Sequence, residues 1–176
     1  DDDLSRGLGD VYKRQSYVGV VLAGGRSRRM GTDKASLVLA GETLLEHAVG
    51  VLHEVFTDVV VLARPGAELT LPAGATRLDD PSPDRGPAAA IYHAVKALKR
   101  PVVVIAVDMP DVDATIVRWL VDQSAGARAG MAHTGDRSHP TLAVYTVDAV
   151  SQSETPPDDT SLTRWAHQIG LETWRV

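Results

Sequence analysis

The chain has 176 residues, 44% of them hydrophobic and 23% charged, with a formal net charge of -5 and no cysteine. That length fits one domain able to bury roughly two-thirds of its unfolded surface in a single core. The acidic balance argues against a general nucleic-acid binder, whose counterion-releasing surface needs excess Lys and Arg, and the lack of thiols excludes disulfides and thiolate metal sites. No apolar run approaches the roughly 20 residues that span a bilayer, and no signal-peptide core opens the chain. The expectations are therefore no nucleic-acid partner, no membrane and a cytoplasmic location.

Residues 1–15 (DDDLSRGLGDVYKRQ) are polar and lack an apolar period, and are expected to be a disordered or non-native tail ahead of a domain at 16–176. Three unalternated β-branched runs follow, at 17–22 (YVGVVL), 58–63 (DVVVLA) and 101–107 (PVVVIAV). Runs of this kind suit strands covered on both faces, as in a parallel sheet. Between them, residues 43–55 carry Leu44, Leu45, Ala48, Val51, Leu52 and Val55 on a helical stripe, with Glu42 and Glu46 near its start, where the helix dipole favours them. Residues 88–98, entered through Gly86 and Pro87, repeat the stripe, as do residues 114–123, for which Asp111 or Asp113 is the expected cap. Strands alternating with helices predict a single-domain, doubly wound, mostly parallel α/β sheet with helices on both faces. Residues 75–78, 129–132 and 141–145 read as further strands. The last should be antiparallel, because its connection is too short for a crossover helix. Residues 151–159 read as a loop, and residues 160–169 as a short helix started by Thr160 or Ser161.

In open α/β sheets, ligands bind beyond the carboxyl ends of the strands, and this chain puts its unusual residues there. The first strand runs into LAGGRSRRMGTDKA (residues 22–35), where Gly24 and Gly25 free the backbone to present successive N–H groups and Arg26, Arg28, Arg29 and Lys34 add cations. Neither the Walker A nor the G-x-G-x-x-G spacing is met. A bare glycine pair also serves a tight turn. The cations shift the reading toward phosphate, since each charge-assisted contact contributes roughly 1.5–3 kcal/mol. Asp108 follows PVVVIAV at the end of a central strand, so it needs a metal, a cation partner or several N–H donors. Mg²⁺ is the natural metal beside phosphates, because it favours one or two carboxylates plus substrate oxygens. Asp79 or Asp80, also at a strand end, would accept hydrogen bonds from a base or ribose, whereas Asp84 and Arg85 read as a solvated connector. His139, in RSHPT, stands at the mouth of the same sheet, with structural and substrate-contact roles both open.

These segments resemble the small nucleotidyltransferases related to molybdenum cofactor guanylyltransferase. The first loop matches the family's LAGG, x-S-x-R-M-G and x-D-K elements, and LVLAGETLLEHAV, LDDPSPDRGPAAAI, AVDMPDV and RSHPTLAVY continue the match in order. The resemblance implies a Rossmann-like nucleotidyltransferase that moves GMP from GTP to Mo-molybdopterin, with Mg²⁺ as cofactor and molybdenum cofactor delivery proteins as partners. It further implies that Leu22, Ala23 and Gly24 hold base and ribose. Gly25 and Arg29 would take the phosphates, Lys34 the α-phosphate, Asp80 the guanine side and Asp108 the Mg²⁺; His139, from its place at the sheet mouth and not from the resemblance, is the candidate contact for the acceptor.

Two departures follow from the same comparison. The family often carries Asn after its second strand where this chain has Leu62, so a nucleotide contact there is lost or comes from the backbone. The family also usually runs on into an N-x-[ND]-T-P segment near the metal, so the domain is expected to be shortened at Val176. The alternatives are transfer of CMP or another nucleotide to a different phosphorylated acceptor, or a nucleotide-binding module without chemistry.

Overall fold

The β-branched run at Val18–Leu22 forms β1, an interior strand of a seven-stranded sheet in a computed structural model that describes residues 16–23 and 34–176. The remaining elements follow in chain order. A 3-10 turn at Lys34–Ser36 leads to a two-stranded hairpin, β2 (Val38–Leu39) and β3 (Glu42–Thr43), then to α1 (Leu44–His53), β4 (Val59–Ala63) and β5 (Thr76–Asp79). Next come α2 (Pro87–Leu98), β6 (Val102–Ala106), α3 (Ala114–Gln123), β7 (Gly130–Thr134) and β8 (Arg137–Tyr145). The chain continues through α4 (Val147–Ser151), α5 (Leu162–Gln168) and β9 (Glu172–Arg175).

The sheet order is β5-β4-β1-β6-β8-β7-β9, with β5, β4, β1 and β6 parallel and β8 antiparallel to β6. Helices α1 and α3 bury their apolar stripes on one face, through Leu45, Leu52, Val117 and Leu120, while α2 and α5 cover the other through Ile91, Val95, Trp165 and Ala166. This is the doubly wound arrangement that the unalternated runs require, because strands such as β6 are apolar toward both layers.

Local chemistry sets the element ends. Thr43 caps α1 by accepting from the Glu46 amide at 3.1 Å, and the Glu46 carboxylate accepts from the Thr43 amide at 2.7 Å. That reciprocal bond holds the Glu46 carboxyl below its usual range. Asp113 caps α3, its carboxylate accepting from the Ile116 amide at 2.9 Å.

The sequence reading began the last central strand at residue 141, but β8 starts at Arg137 and forms a hairpin with β7. The register moves from Met131 opposite Ala143 to Ala132 opposite His139, so residues 140–142 are extra length that bulges away from β7. Pro140, which has no amide to donate, lies in this bulge. Its carbonyl accepts from the buried Tyr145 hydroxyl at 2.6 Å, and burial pushes that phenol's pKa well up. The β2–β3 hairpin, α4 and β9 are additions to the elements expected from the sequence.

β9 docks beside β7 with the Trp174 indole over Gly130, where an added Cβ would overlap the ring. Gly130→Ala is expected to destabilise the fold by about 1–3 kcal/mol, the cost of overpacking a buried contact. A denaturant midpoint close to wild type would contradict it.

Candidate nucleotide site

Four parallel strands end level with one another, because Leu22 pairs with Leu62 on one side and Ala106 on the other, and Ala63 pairs with Asp79. The ladder extends one residue past each end. The Val107 amide donates to the Leu22 carbonyl at 3.1 Å, the Ala23 amide to the Leu62 carbonyl at 3.0 Å, and the Asp80 amide to the Ala63 carbonyl at 2.8 Å. Asp108 and Asp80 are therefore fixed by backbone pairing at opposite sides of the end of β1.

At the β6 side, Lys34 Nζ donates to Asp108 Oδ2 at 2.9 Å across 74 residues of sequence. Of the partners that Asp108 is expected to need, the described residues supply a cation. The two side chains are 44% and 47% exposed, so the pair contributes little to stability. Both charges stand open to a ligand. Lys34 begins the 3-10 turn whose next residue, Ala35, is buried against the α1 layer, which anchors the lysine's backbone.

At the β5 side lies a cavity of about 330 Å³. Leu22, Leu62, Ala63 and Ala90 form apolar walls, and Asp80 supplies a carboxylate that is only 6% exposed. Its Oδ1 accepts from the Ser82 amide at 2.9 Å, turning the chain back toward α2. Asp159 and Thr160 line the same cavity from the loop before α5. Arg64 also borders it, with its guanidinium donating to Asp84 at 2.9 Å. The polar groups facing this space are mostly acceptors.

Comparison with known proteins gives this geometry a lineage. The MobA-like NTP transferase domain matches residues 19–171. The chain belongs to that family. A relative from Mycobacterium tuberculosis named probable molybdenum cofactor guanylyltransferase is 40% identical over 145 residues, covering 78% of this chain and 71% of the relative. Among solved structures, Rv0371c from M. tuberculosis superposes with a TM-score of 0.72 at 21% identity, covering 92% of this chain and 87% of that one. The molybdopterin-guanine dinucleotide biosynthesis protein A from Archaeoglobus fulgidus gives 0.67 at 22% identity, covering 91% and 83%. At these identities the two structures establish the fold.

Within this MobA-like NTP transferase domain, the expected site residues divide into three groups. Leu22 and Asp80 meet at the cavity, Lys34 and Asp108 meet at 2.9 Å, and Ala23 is bonded to Leu62 on the cavity side, while the Leu22 carbonyl accepts from Val107, the residue before Asp108. His139 stands apart, on the β7–β8 hairpin, with its Nε2 2.6 Å from Thr134 Oγ1. The hairpin is tied toward the Asp108 loop by the Thr141 hydroxyl, 3.7 Å from the Met109 sulfur. Gly24, Gly25 and Arg29, with Arg26 and Arg28, lie outside the described residues.

Two readings change. The carbonyl of Leu62 accepts from Ala23, so the position without Asn serves β1 through its backbone. The connector at Asp84 and Arg85 is not merely solvated: Asp84 pairs with Arg64, and Arg85 pairs with Asp158. Arg64, Asp159 and Thr160 were missed as cavity residues. The segment Pro156 to Thr160 carries only turn chemistry, and nothing in its composition reports which loop it meets.

Proposed function

We propose that this chain transfers GMP from GTP to Mo-molybdopterin, forming molybdopterin guanine dinucleotide and releasing pyrophosphate. Nucleotidyl transfer is the chemistry of its family, and the guanylyl and pterin assignments rest on the names of its relatives. The observation that carries the reading is the exposed Lys34–Asp108 pair at the end of β1 and β6, one backbone bond from the cavity that Leu22 walls.

Attack of one phosphate on another opposes like charges, costing about 4 kcal/mol per unit pair at 4 Å and an effective dielectric of 20. Lys34 would swing from Asp108 onto the α-phosphate and offset that repulsion in the transition state. Leu22 and Ala23, with Gly24, Gly25 and Arg29, would complete the grip on ribose and phosphates. No covalent nucleophile is required, because alignment of the attacking and departing oxygens lowers the barrier by itself.

Mg²⁺ fits this donor set as a shared ion. Among the described residues no group of three His, Cys, Asp or Glu side chains gathers, whereas one exposed carboxylate plus substrate oxygens is a usual Mg²⁺ arrangement. Asp108 would hold it, and the ion would supply positive charge to offset that of the nucleotide phosphates.

The cavity favours guanine. Guanine presents N1–H and N2–H₂ as donors, while cytosine offers one amino group beside two acceptors on its pairing edge. Asp80, Asp159 and Thr160 are acceptors, and Arg64, the strong donor on the rim, is engaged with Asp84. His139 would contact the acceptor's phosphate from the neighbouring hairpin. A cytoplasmic location and hand-over to molybdenum cofactor delivery proteins belong to the same proposal; no helix among the described residues is long and apolar enough to cross a membrane.

Pyrophosphate release measured with GTP and with CTP, each with Mo-molybdopterin, tests the proposal. Turnover with GTP and little with CTP is expected. Preference for CTP would move the chain to cytidylyl transfer, and GTP binding without pyrophosphate release would make it a binding module.

A further inference from the structure

The cavity's rim is built by two loops that are 70 residues apart in sequence and joined by one side chain. The first is the turn after β5. Asp80 accepts from the Ser82 amide, and the Ser82 carbonyl accepts from the Arg85 amide at 3.0 Å, which fixes the backbone of Arg85 relative to the buried carboxylate. The second is the segment before α5. Both the Thr160 amide and its hydroxyl donate to the Pro157 carbonyl, at 3.2 and 2.6 Å, and Asp159 holds a φ of 59°. Aspartate is among the few residues with a side chain that take this left-handed backbone readily, so the turn holds its own shape and only its position against the rest of the molecule is left to be fixed.

Arg85 fixes that position. Its Nε donates to Asp158 Oδ1 at 2.5 Å, and its Nη2 donates to the Pro156 carbonyl at 2.9 Å. The planar guanidinium turns its Nε–Nη2 edge to the loop and grips it on both sides of Pro157. Arg85 is absent from the cavity's own lining, whereas Asp159 and Thr160, the residues immediately after its grip, belong to it. The clasp therefore acts at one remove. It sets where two further hydrogen-bond acceptors stand in the cavity that Asp80 also lines.

We infer that Arg85 is a positioning residue that holds the 156–160 loop over the base cavity and so sets the preference for guanine over other bases. This rests on the nucleotide reading proposed above. The side chains of Arg85 and Asp158 are 35% and 75% exposed, so cutting the clasp should leave the fold intact while loosening the rim.

The test is titration calorimetry with GTP and with CTP, in the presence of Mg²⁺, on the wild-type chain, Arg85→Ala, Arg85→Lys, Asp158→Ala and the exchanged pair Arg85→Asp/Asp158→Arg. Pyrophosphate release at saturating GTP and thermal melting accompany it. Arg85→Ala and Asp158→Ala should each weaken GTP by roughly three- to tenfold, the worth of an exposed ion pair with or without one charged hydrogen bond. CTP binding, kcat and melting temperature should hold. Arg85→Lys should recover part of the loss, and the exchanged pair should bind GTP better than Arg85→Ala or Asp158→Ala. A plain structural defect would lower the melting temperature and both nucleotides together, without rescue. Unchanged GTP affinity in Arg85→Ala, or equal losses for GTP and CTP, overturns the inference while the nucleotide reading stands. Should the wild-type chain bind no GTP, the nucleotide reading fails first and takes the clasp's role with it.

Discussion

Lys34→Ala is expected to lower kcat for pyrophosphate release from GTP by about 10²–10³, the usual loss when one preorganised donor to transition-state charge is removed. The melting temperature should barely move. That contrast follows from exposure: an ion pair between side chains 44% and 47% exposed contributes at most about 1 kcal/mol to the fold, whereas a hundredfold loss of rate corresponds to about 2.7 kcal/mol. On the proposed reading, the charge at Lys34 serves a ligand and not the fold. Lys34→Arg should restore only part of the rate, because a planar guanidinium cannot reproduce a compact ammonium set at 2.9 Å from Asp108 Oδ2. Steady-state kinetics with GTP, paired with a thermal melt, checks both variants. Turnover near wild type in Lys34→Ala would remove the lysine from the mechanism.

The features legible in the sequence share a physical cause. β1, β4 and β6 announce themselves because a strand buried on both faces must be apolar at every position, and α1, α2 and α3 because one stripe of each faces the sheet. Once the sheet is parallel, its carboxyl ends define the ligand side, and Asp80 and Asp108 fall there without further information. Elements stabilised by tertiary contact had no such signature. β9 owes its place to Trp174 over Gly130, a contact between residues 44 apart. The β2–β3 hairpin exposes Val38 and Leu39, so it lacks the alternation by which strands are recognised. Pro140 hid the first half of β8, because a proline argues against a paired strand unless, as here, a bulge removes the need for its amide. Arg85 was misjudged for the same reason: its partner Asp158 lies 73 residues away, and sequence spacing carries no trace of that meeting.

Asp108→Asn separates two roles that the geometry of the site permits. A carboxylate beside a nucleotide polyphosphate repels it, by about 4 kcal/mol per unit pair at 4 Å and an effective dielectric of 20. An aspartate at this place is useful only with a cation between it and the phosphates. Lys34 is one such cation and Mg²⁺ the other. Asparagine keeps the size of the side chain and one acceptor oxygen for Lys34, but loses the charge that a hard divalent ion requires. If Asp108 merely steadies Lys34, Asp108→Asn should retain most of the turnover with an unchanged Mg²⁺ titration. If it holds the metal, kcat should fall by about 10²–10³, the Mg²⁺ midpoint should rise, and metal-free GTP should bind as well as before or better, its phosphates no longer facing the carboxylate. We expect the second pattern. Rate against Mg²⁺ concentration, together with GTP binding in chelator, would decide between them, and a wild-type Mg²⁺ midpoint in Asp108→Asn would take the metal away from this residue.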